Sequence, residues 1–151
     1  MRIKKVKHKS IDEAVRELEK NKNIKGVLKL NNPKLGEILL IKSFYDIDVT
    51  NWNRFLYDDN IRHIINEHGK QSVESKRNQL AITLNDIKNI PNILYDYDNI
   101  YKGNSNGKYK TIIYEKKYCS CISYLVEVIV HDQKKLQIKT MWKKYTTKIN
   151  D

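Results

Sequence analysis

Cysteine is scarce in this chain of 151 residues, and the placement of the two present excludes more than their number. Cys119 and Cys121 sit two apart, so on a strand they point to one face. A disulfide at that spacing is strained, and two thiols cannot fill a zinc site unaided. They read as reduced packing residues and leave the redox compartment open. Glycine numbers only five, and neither a Gly-rich phosphate loop nor a nucleophile elbow is present. No Cys–His spacing suits zinc and no carboxylate cluster suits Mg²⁺, so no metal and no cofactor is expected. No apolar run approaches the ~20 residues of a membrane helix. The start Met1-Arg-Ile-Lys-Lys-Val-Lys7 lacks the apolar segment of a secretory signal. The expectation is a chain that acts in the cytoplasm, made there or delivered from another cell. No internal repeat or low-complexity segment stands out.

What the sequence has in excess is positive charge. Its 29 Lys and Arg against 18 Asp and Glu leave +11, which favours a polyanionic partner. From Lys102 to Asp151 there are 11 lysines and four acids, Glu115, Glu127, Asp132 and Asp151. The C-terminal third is therefore the expected electrostatic footprint; the plain alternative is a solvated lysine surface. Hydrophobic residues at 40% and charged residues at 31% fit a soluble globular chain with a core of its own.

The stretch Asn60 to Gly69 reads as a short amphipathic helix. Asp58 and Asp59 supply cap-type carboxylates before it. Ile61, Ile64, Ile65 and His68 fall at i, i+3, i+4 and i+7 on one face. Gly69 stands where helices commonly end left-handed. His68 is thus carried toward the core at the helix tip, where the carbonyl end favours a protonated imidazole. His63 lies about 140° around the same helix and is expected to pair outward with Glu67. That geometry speaks against a shared metal site, because zinc helices place ligands at i and i+4. The plain reading of His68 is a half-buried packing residue.

Elsewhere, Ser10-Ile-Asp-Glu13 is a capping-box pattern, opening a helix that runs to about Lys22. Gly26 to Leu30 and Glu37 to Lys42 read as two strands of a hairpin around Asn31-Asn-Pro33 and Gly36. Trp52 and Phe55 anchor the irregular stretch between Ser43 and the histidine helix. Lys70 to Gln79 reads as a basic mobile loop. Thr83-Leu-Asn-Asp86 caps a short helix that ends before Pro91, and Asn92 to Tyr101 reads as a connection. Then come strands over 109–117, after a turn at 104–107, over 121–130 and over 135–142. In the second, Ile122, Tyr124, Val126, Val128 and Val130 form an apolar face; in the third, Leu136, Ile138, Thr140 and Trp142 share one. The expected fold is α+β, an antiparallel meander packed by helices on one face. Residues 1–50 are expected to form an N-terminal region of helix plus hairpin, of unknown role, packed on a second domain over 51–151.

The face with Thr140 and Trp142 is expected to meet the tip of the histidine helix at one edge of the core. An imidazole, a hydroxyl and an indole would gather there, with Lys116, Lys117, Lys139 and Lys143 near. Metal-free RNA cleavage needs such a set: a base for the 2′-OH, an acid for the leaving 5′ oxygen, and cations and hydroxyls for the phosphorane. The indole can stack an unpaired base. Each residue has a plainer reading too: Thr140 as a β-former, Trp142 as core, the lysines as solvated.

The order Asp58-Asp-x-Ile-x-x-Ile-x-x-x-His68-Gly69, Gln79-x-x-Ile-Thr-x-x-Asp86-Ile, Ile90-Pro91, Asp98-x-Ile100, Tyr114-x-Lys116-Lys117 and Lys139-Thr-x-Trp142 resembles the barnase–EndoU–colicin–RelE-like nuclease superfamily, and especially its phage and mobile-element members. The resemblance covers about Tyr57 to Tyr145. Lys139-Thr140-Met141-Trp142 is similar to the Ser-x-Trp of colicin D type tRNA nucleases, and His68 matches their helix-borne histidine. The departures are threonine for serine, and Asn66 and Glu67 where basic residues precede the colicin histidine. The resemblance implies a barnase/colicin-like fold and a metal-independent endoribonuclease toxin. It implies RNA as substrate, with tRNA a candidate, 2′,3′-cyclic phosphate ends, and an acidic immunity or antitoxin protein as partner. It implies His68, Thr140, Lys116 and Lys117 as catalytic residues, with Lys116 supplying the cation. Trp142, Lys139, Lys143, Arg77 and Tyr114 would hold substrate. The alternative class is a non-catalytic basic nucleic-acid-binding or structural protein that keeps such a fold.

Overall fold

The three alternating C-terminal segments do form strands in the computed structural model, which describes residues 4–20, 24–104 and 107–146. In chain order the elements are β1 (Lys4–His8), α1 (Ile11–Lys20), β2 (Ile24–Leu30), α2 (Leu35–Tyr45), β3 (Asn53–Tyr57) and α3 (Asp58–His68). There follow α4 (Gln71–Glu74), a 3-10 turn (Ser75–Arg77), α5 (Leu84–Lys88), α6 (Ile90–Tyr95) and β4 (Asn99–Lys102). The chain closes with β5 (Lys110–Lys117), β6 (Cys121–Val130), a second 3-10 turn (His131–Gln133) and β7 (Lys135–Tyr145). One sheet takes all the strands in the order β1-β2-β3-β7-β6-β5-β4. β1 and β2 are parallel, as are β3 and β7, while the other neighbours are antiparallel. The α+β fold with its antiparallel meander is therefore as expected.

One face of the sheet carries Leu28, Leu56, Leu136, Ile138, Leu125 and Ile112. These join Val15 of α1, Ile41 of α2, Ile61 and Ile64 of α3, Ile87 of α5 and Ile93 of α6 in a single buried core. Each such side chain contributes about 1.5–3 kcal/mol by leaving water. In the middle of this apolar layer lies a charged cluster. Arg54, 2% exposed, pairs with Glu127 at 2.7 Å and with Glu37. Tyr114 Oη accepts from Arg54 Nη2 at 3.0 Å and lies 2.9 Å from Glu37 and 3.1 Å from Glu127, either of which can take its single proton.

A β-bulge decides which side chains of β7 share a face. Pairing with β6 jumps from Val126↔Thr140 to Glu127↔Ile138, so Lys139 is left unpaired and the alternation inverts beyond it. Leu136 and Ile138 face the helices, but further on Met141 takes that inward place. Thr140 and Trp142 turn to the opposite face. The expected common face of Leu136, Ile138, Thr140 and Trp142 is thus broken in the middle. β6 is inverted likewise: Leu125, Glu127 and Ile129 face the helices, and the even-numbered Tyr124, Val126 and Val128 line the other side.

Other expectations change. Leu35–Tyr45 is a helix and not the second strand of a hairpin. Its run is apolar on almost every side, with Leu35 69% and Leu39 61% exposed, so periodicity cannot tell strand from helix there. The Lys34 N–H, bonded to the Glu37 carboxylate at 3.3 Å, fixes the helix start. The basic loop at 70–79 contains α4 and a 3-10 turn. The supposed connection at 92–101 contains the end of α6 and most of β4. The Thr83 capping box forms as read, with Asp86 Oδ2 accepting from Thr83 N at 2.7 Å. The predicted end of the first helix at Lys22, and part of the 104–107 turn, lie outside the described residues.

Asp58 does not cap α3. Its carboxylate accepts from His8 Nε2 and from Gly26 N, each at 2.9 Å, and is buried. This ties β1 and β2 to the start of α3. A Cβ at Gly26 would overlap both the His8 ring and the Asp58 carboxylate. Gly26→Ala should cost about 1–3 kcal/mol, the range for overpacking a filled site. A urea unfolding midpoint equal to that of the wild type would contradict the close approach.

Candidate active site

The apolar stripe of α3 packs as its spacing predicts. Ile61 and Ile64 are fully buried and Ile65 is half-buried, while the His68 side chain at the tip keeps 15% of its surface exposed. Gly69 closes the helix at φ −91°, in the right-handed region and not the left-handed one expected. Glycine is needed for a different reason, because a Cβ here would run into the Ile65 carbonyl oxygen. His63 is exposed as expected, but it forms no pair with Glu67.

His68 is held from its Nδ1 side. That nitrogen lies 3.1 Å from Oε2 of Glu74, a residue with no exposed surface. The second oxygen of Glu74 accepts from Arg77 Nη1 at 3.1 Å, and the same Nη1 donates to the Glu67 carbonyl at 3.0 Å. A carboxylate only accepts, so Nδ1 carries the proton of the neutral ring and Nε2 is left as the base. A carboxylate, a histidine and an arginine therefore make one unit.

The backbone places this unit beside β7. β3 pairs with β7 only at residues 135–137. Beyond that point α3, which continues directly from β3, packs along the vacated edge together with residues 80–82. Leu80 N bonds to Lys143 O at 2.8 Å, and Ile82 N bonds to His68 O at 2.7 Å. His68 thus reaches the C-terminal half of β7 through one intervening segment.

On the sheet face turned away from the core, Trp142 stacks on Tyr124, with ring centroids 5.3 Å apart and planes at 19°. Lys144 lies over the Tyr124 ring at 5.4 Å. The Tyr124 phenol is pushed up to about 12, by burial first and then by its bond to Glu115, so it remains neutral in ordinary buffers. Further along, Phe55 and Tyr57 flank Lys135, which donates to Tyr57 Oη at 2.8 Å. Thr140 lies between these aromatic groups. Its hydroxyl is buried and makes no hydrogen bond among the described residues.

The expected site residues therefore divide. Thr140, Trp142, the bulge residue Lys139 and, two strands away on β5, Lys117 belong to the outer face and its rim. Lys116 and Lys143 point to the helix side, where Asp96 and Asp86 hold their ammonium groups at 3.1 and 2.8 Å. Lys116 is thus not the cation beside the histidine; Arg77 is. Tyr114, expected to touch substrate, has no exposed surface and serves the Arg54 cluster, where burial first and then Glu127 raise its phenol well above the usual range. Glu74 was missed by sequence reasoning. Its one signal is that it is the only acid among Lys70, Lys76 and Arg77.

A sequence profile of the family described as phage-Barnase-EndoU-ColicinE5/D-RelE like nuclease3 matches residues 33–151. The chain belongs to this nuclease family. No curated protein and no solved structure matches it. The matched span of this nuclease contains His68, Glu74, Arg77, Thr140 and Trp142, whereas β1, α1 and β2 precede it. Among the described residues no helix is long and apolar enough to cross a membrane.

Proposed function

We propose that this nuclease is a metal-independent endoribonuclease whose catalytic base is His68. The observation that carries the reading is the His68–Glu74–Arg77 unit at the edge of β7 in a chain of this family. His68 Nε2 takes the proton of a ribose 2′-OH, and the 2′ oxygen attacks the adjacent phosphorus. The P–O5′ bond breaks, leaving a 2′,3′-cyclic phosphate, and the 5′ oxygen receives a proton from a second donor. Lys139 at the bulge is our candidate for that donor. Arg77, the cation beside His68, and the ammonium group of Lys144 stabilise the phosphorane charge. Trp142 and Tyr124 stack an unpaired base. Structured RNA such as tRNA is the substrate class we favour, and an acidic immunity protein is a fitting inhibitor of so basic a surface.

The test is total RNA incubated with the purified protein in EDTA, followed by mapping of the fragment ends. Discrete fragments with 2′,3′-cyclic phosphate ends are expected. Intact RNA, or cutting only after Mg²⁺ is added, would refute the mechanism. The second reading, a non-catalytic nucleic-acid-binding protein, draws on the burial of the Thr140 hydroxyl, and the same assay separates the two.

A further inference from the structure

The first 30 residues precede the family match, yet they add two strands to the same sheet. Strand register fixes what they bring to its outer face. Lys5 stands directly opposite Lys25, and Lys7 opposite Val27; Val27 in turn opposes Tyr57, and Lys29 opposes Phe55. Paired residues share a face, as do residues two apart. Lys5, Lys7, Lys25 and Lys29 therefore form a grid running into the Phe55–Tyr57–Lys135 group. All four are exposed, and among the described residues none of their side chains makes a hydrogen bond or ion pair.

Like charges placed directly across a sheet destabilise it, and no ion pair to either lysine among the described residues offsets this. Asp58 is taken by His8 and Gly26 N, and Asp59 pairs with Arg62 at 3.4 Å. Between the lysines lies a recess of about 410 Å³ lined by Lys5, Lys7, Lys25 and Tyr57, with Asp58 and Asp59 at its wall, so its three ammonium groups outnumber its two carboxylates. An anionic partner would relieve the repulsion. The adjoining aromatic rings favour one whose phosphates alternate with stacking bases.

We propose that β1 and β2 form a second RNA-anchoring subsite, separate from the cleavage centre, that holds the phosphate backbone of long substrates. This inference rests on the ribonuclease reading and adds to it a determinant of substrate size. β1 is three strands from β7, roughly 14 Å at about 4.8 Å per strand. An RNA held at both places is longer than a dinucleotide.

The experiment measures binding apart from cleavage. Labelled bulk tRNA is titrated in EDTA, over a range of salt concentrations, with full-length protein carrying His68→Ala, with and without K5A/K7A/K25A. Losing three phosphate contacts should flatten the log K against log salt slope by about 2 and weaken binding on the order of 10–100-fold near 0.1 M salt. The control K20A/K42A/K88A, which removes as many charges from helices, should change affinity much less. K5R/K7R/K25R should restore it. An unchanged slope would overturn the proposal and leave the lysines as guards of the β1 edge against self-association. An equal loss in the control would overturn it too, because bulk charge would then suffice. These results do not depend on whether the wild type cuts RNA, so the subsite and the catalytic reading can fail separately.

Discussion

Arg54→Ala should destabilise the fold by about 3–5 kcal/mol, the cost of leaving buried charge without its partner. Arg54 is 2% exposed and lies between Glu37 and Glu127, which are 1% and 0% exposed. Burial opposes the guanidinium charge, but Glu127, Tyr114 and Glu37 outweigh it and hold Arg54 protonated. Without the arginine, two carboxylates would face each other and Tyr114 inside an apolar layer. Glu127→Gln should behave differently. Burial pushes the Glu127 carboxyl above its usual range, against the pull of Arg54. A raised carboxyl contributes stability below its unfolded pKa and loses it as pH climbs through the folded value. Relative to the wild type, Glu127→Gln should therefore gain stability as pH rises from acidic to neutral, and Glu37 remains to pair the arginine. Urea midpoints for both variants across that range test this. An Arg54→Ala midpoint within experimental error of the wild type would mean that the cluster carries no net charge burden.

This cluster also explains why the sequence was misread along β6. Glu127 lies in the strand's core-facing row, beside Leu125 and Ile129, and a glutamate there makes that row look solvated. The even-numbered residues then present the cleaner apolar pattern, although they line the outer face. β5, β6 and β7 were legible as strands because period-2 alternation survives over eight residues or more. Their facing was not, because it depended on a partner 73 residues away, Arg54. The bulge at Lys139 was equally hidden: Leu136, Ile138, Thr140 and Trp142 keep a period-2 spacing in the sequence, and only the pairing with β6 turns Met141 inward in place of Thr140. α2 failed for the opposite reason, being apolar in almost every position. The parallel β1–β2 pair joined by α1 was missed because β1 is five residues, mostly lysine.

The geometry of the candidate site was legible where local spacing controls it. The stripe Ile61, Ile64, Ile65, His68 put the imidazole at a helix tip on the core side, and there it lies. Glu74 orients it from α4, six residues on, in a stretch that reads as loop; nothing local announces a carboxylate that will be wholly buried. The cation was sought in Lys116, which spacing along β5 cannot assign to a face, and Asp96 holds it on the helix side. Arg77 fills the role because the 3-10 turn after α4 brings it back over Glu74.

His68→Ala should lower RNA cleavage by about 10²–10⁴-fold, the contribution of a positioned general base. Glu74 acts through His68, so its loss should appear in kcat with little change in KM. Glu74→Gln keeps the shape but no longer offers a carboxylate to Nδ1–H or a counter-charge to the imidazolium, and a loss on the order of 10–10³-fold is expected. Glu74→Asp should recover part of it if the carboxylate matters and not merely the filled space. His63→Ala, an exposed residue with no partner among the described residues, should keep most activity. Thr140→Ala should also keep most activity, since its hydroxyl is buried and offers no donor to the phosphate. Circular dichroism must accompany each variant, because Glu74 is buried and its loss could loosen α4. Free imidazole added to His68→Ala offers a further check: partial rescue of cleavage with unchanged RNA affinity marks a missing base, whereas packing loss would not respond. If His63→Ala is the inactive protein, or if His68→Ala and Glu74→Gln both cut RNA at the wild-type rate, the imidazole–carboxylate pair is structural and the base lies elsewhere on the sheet.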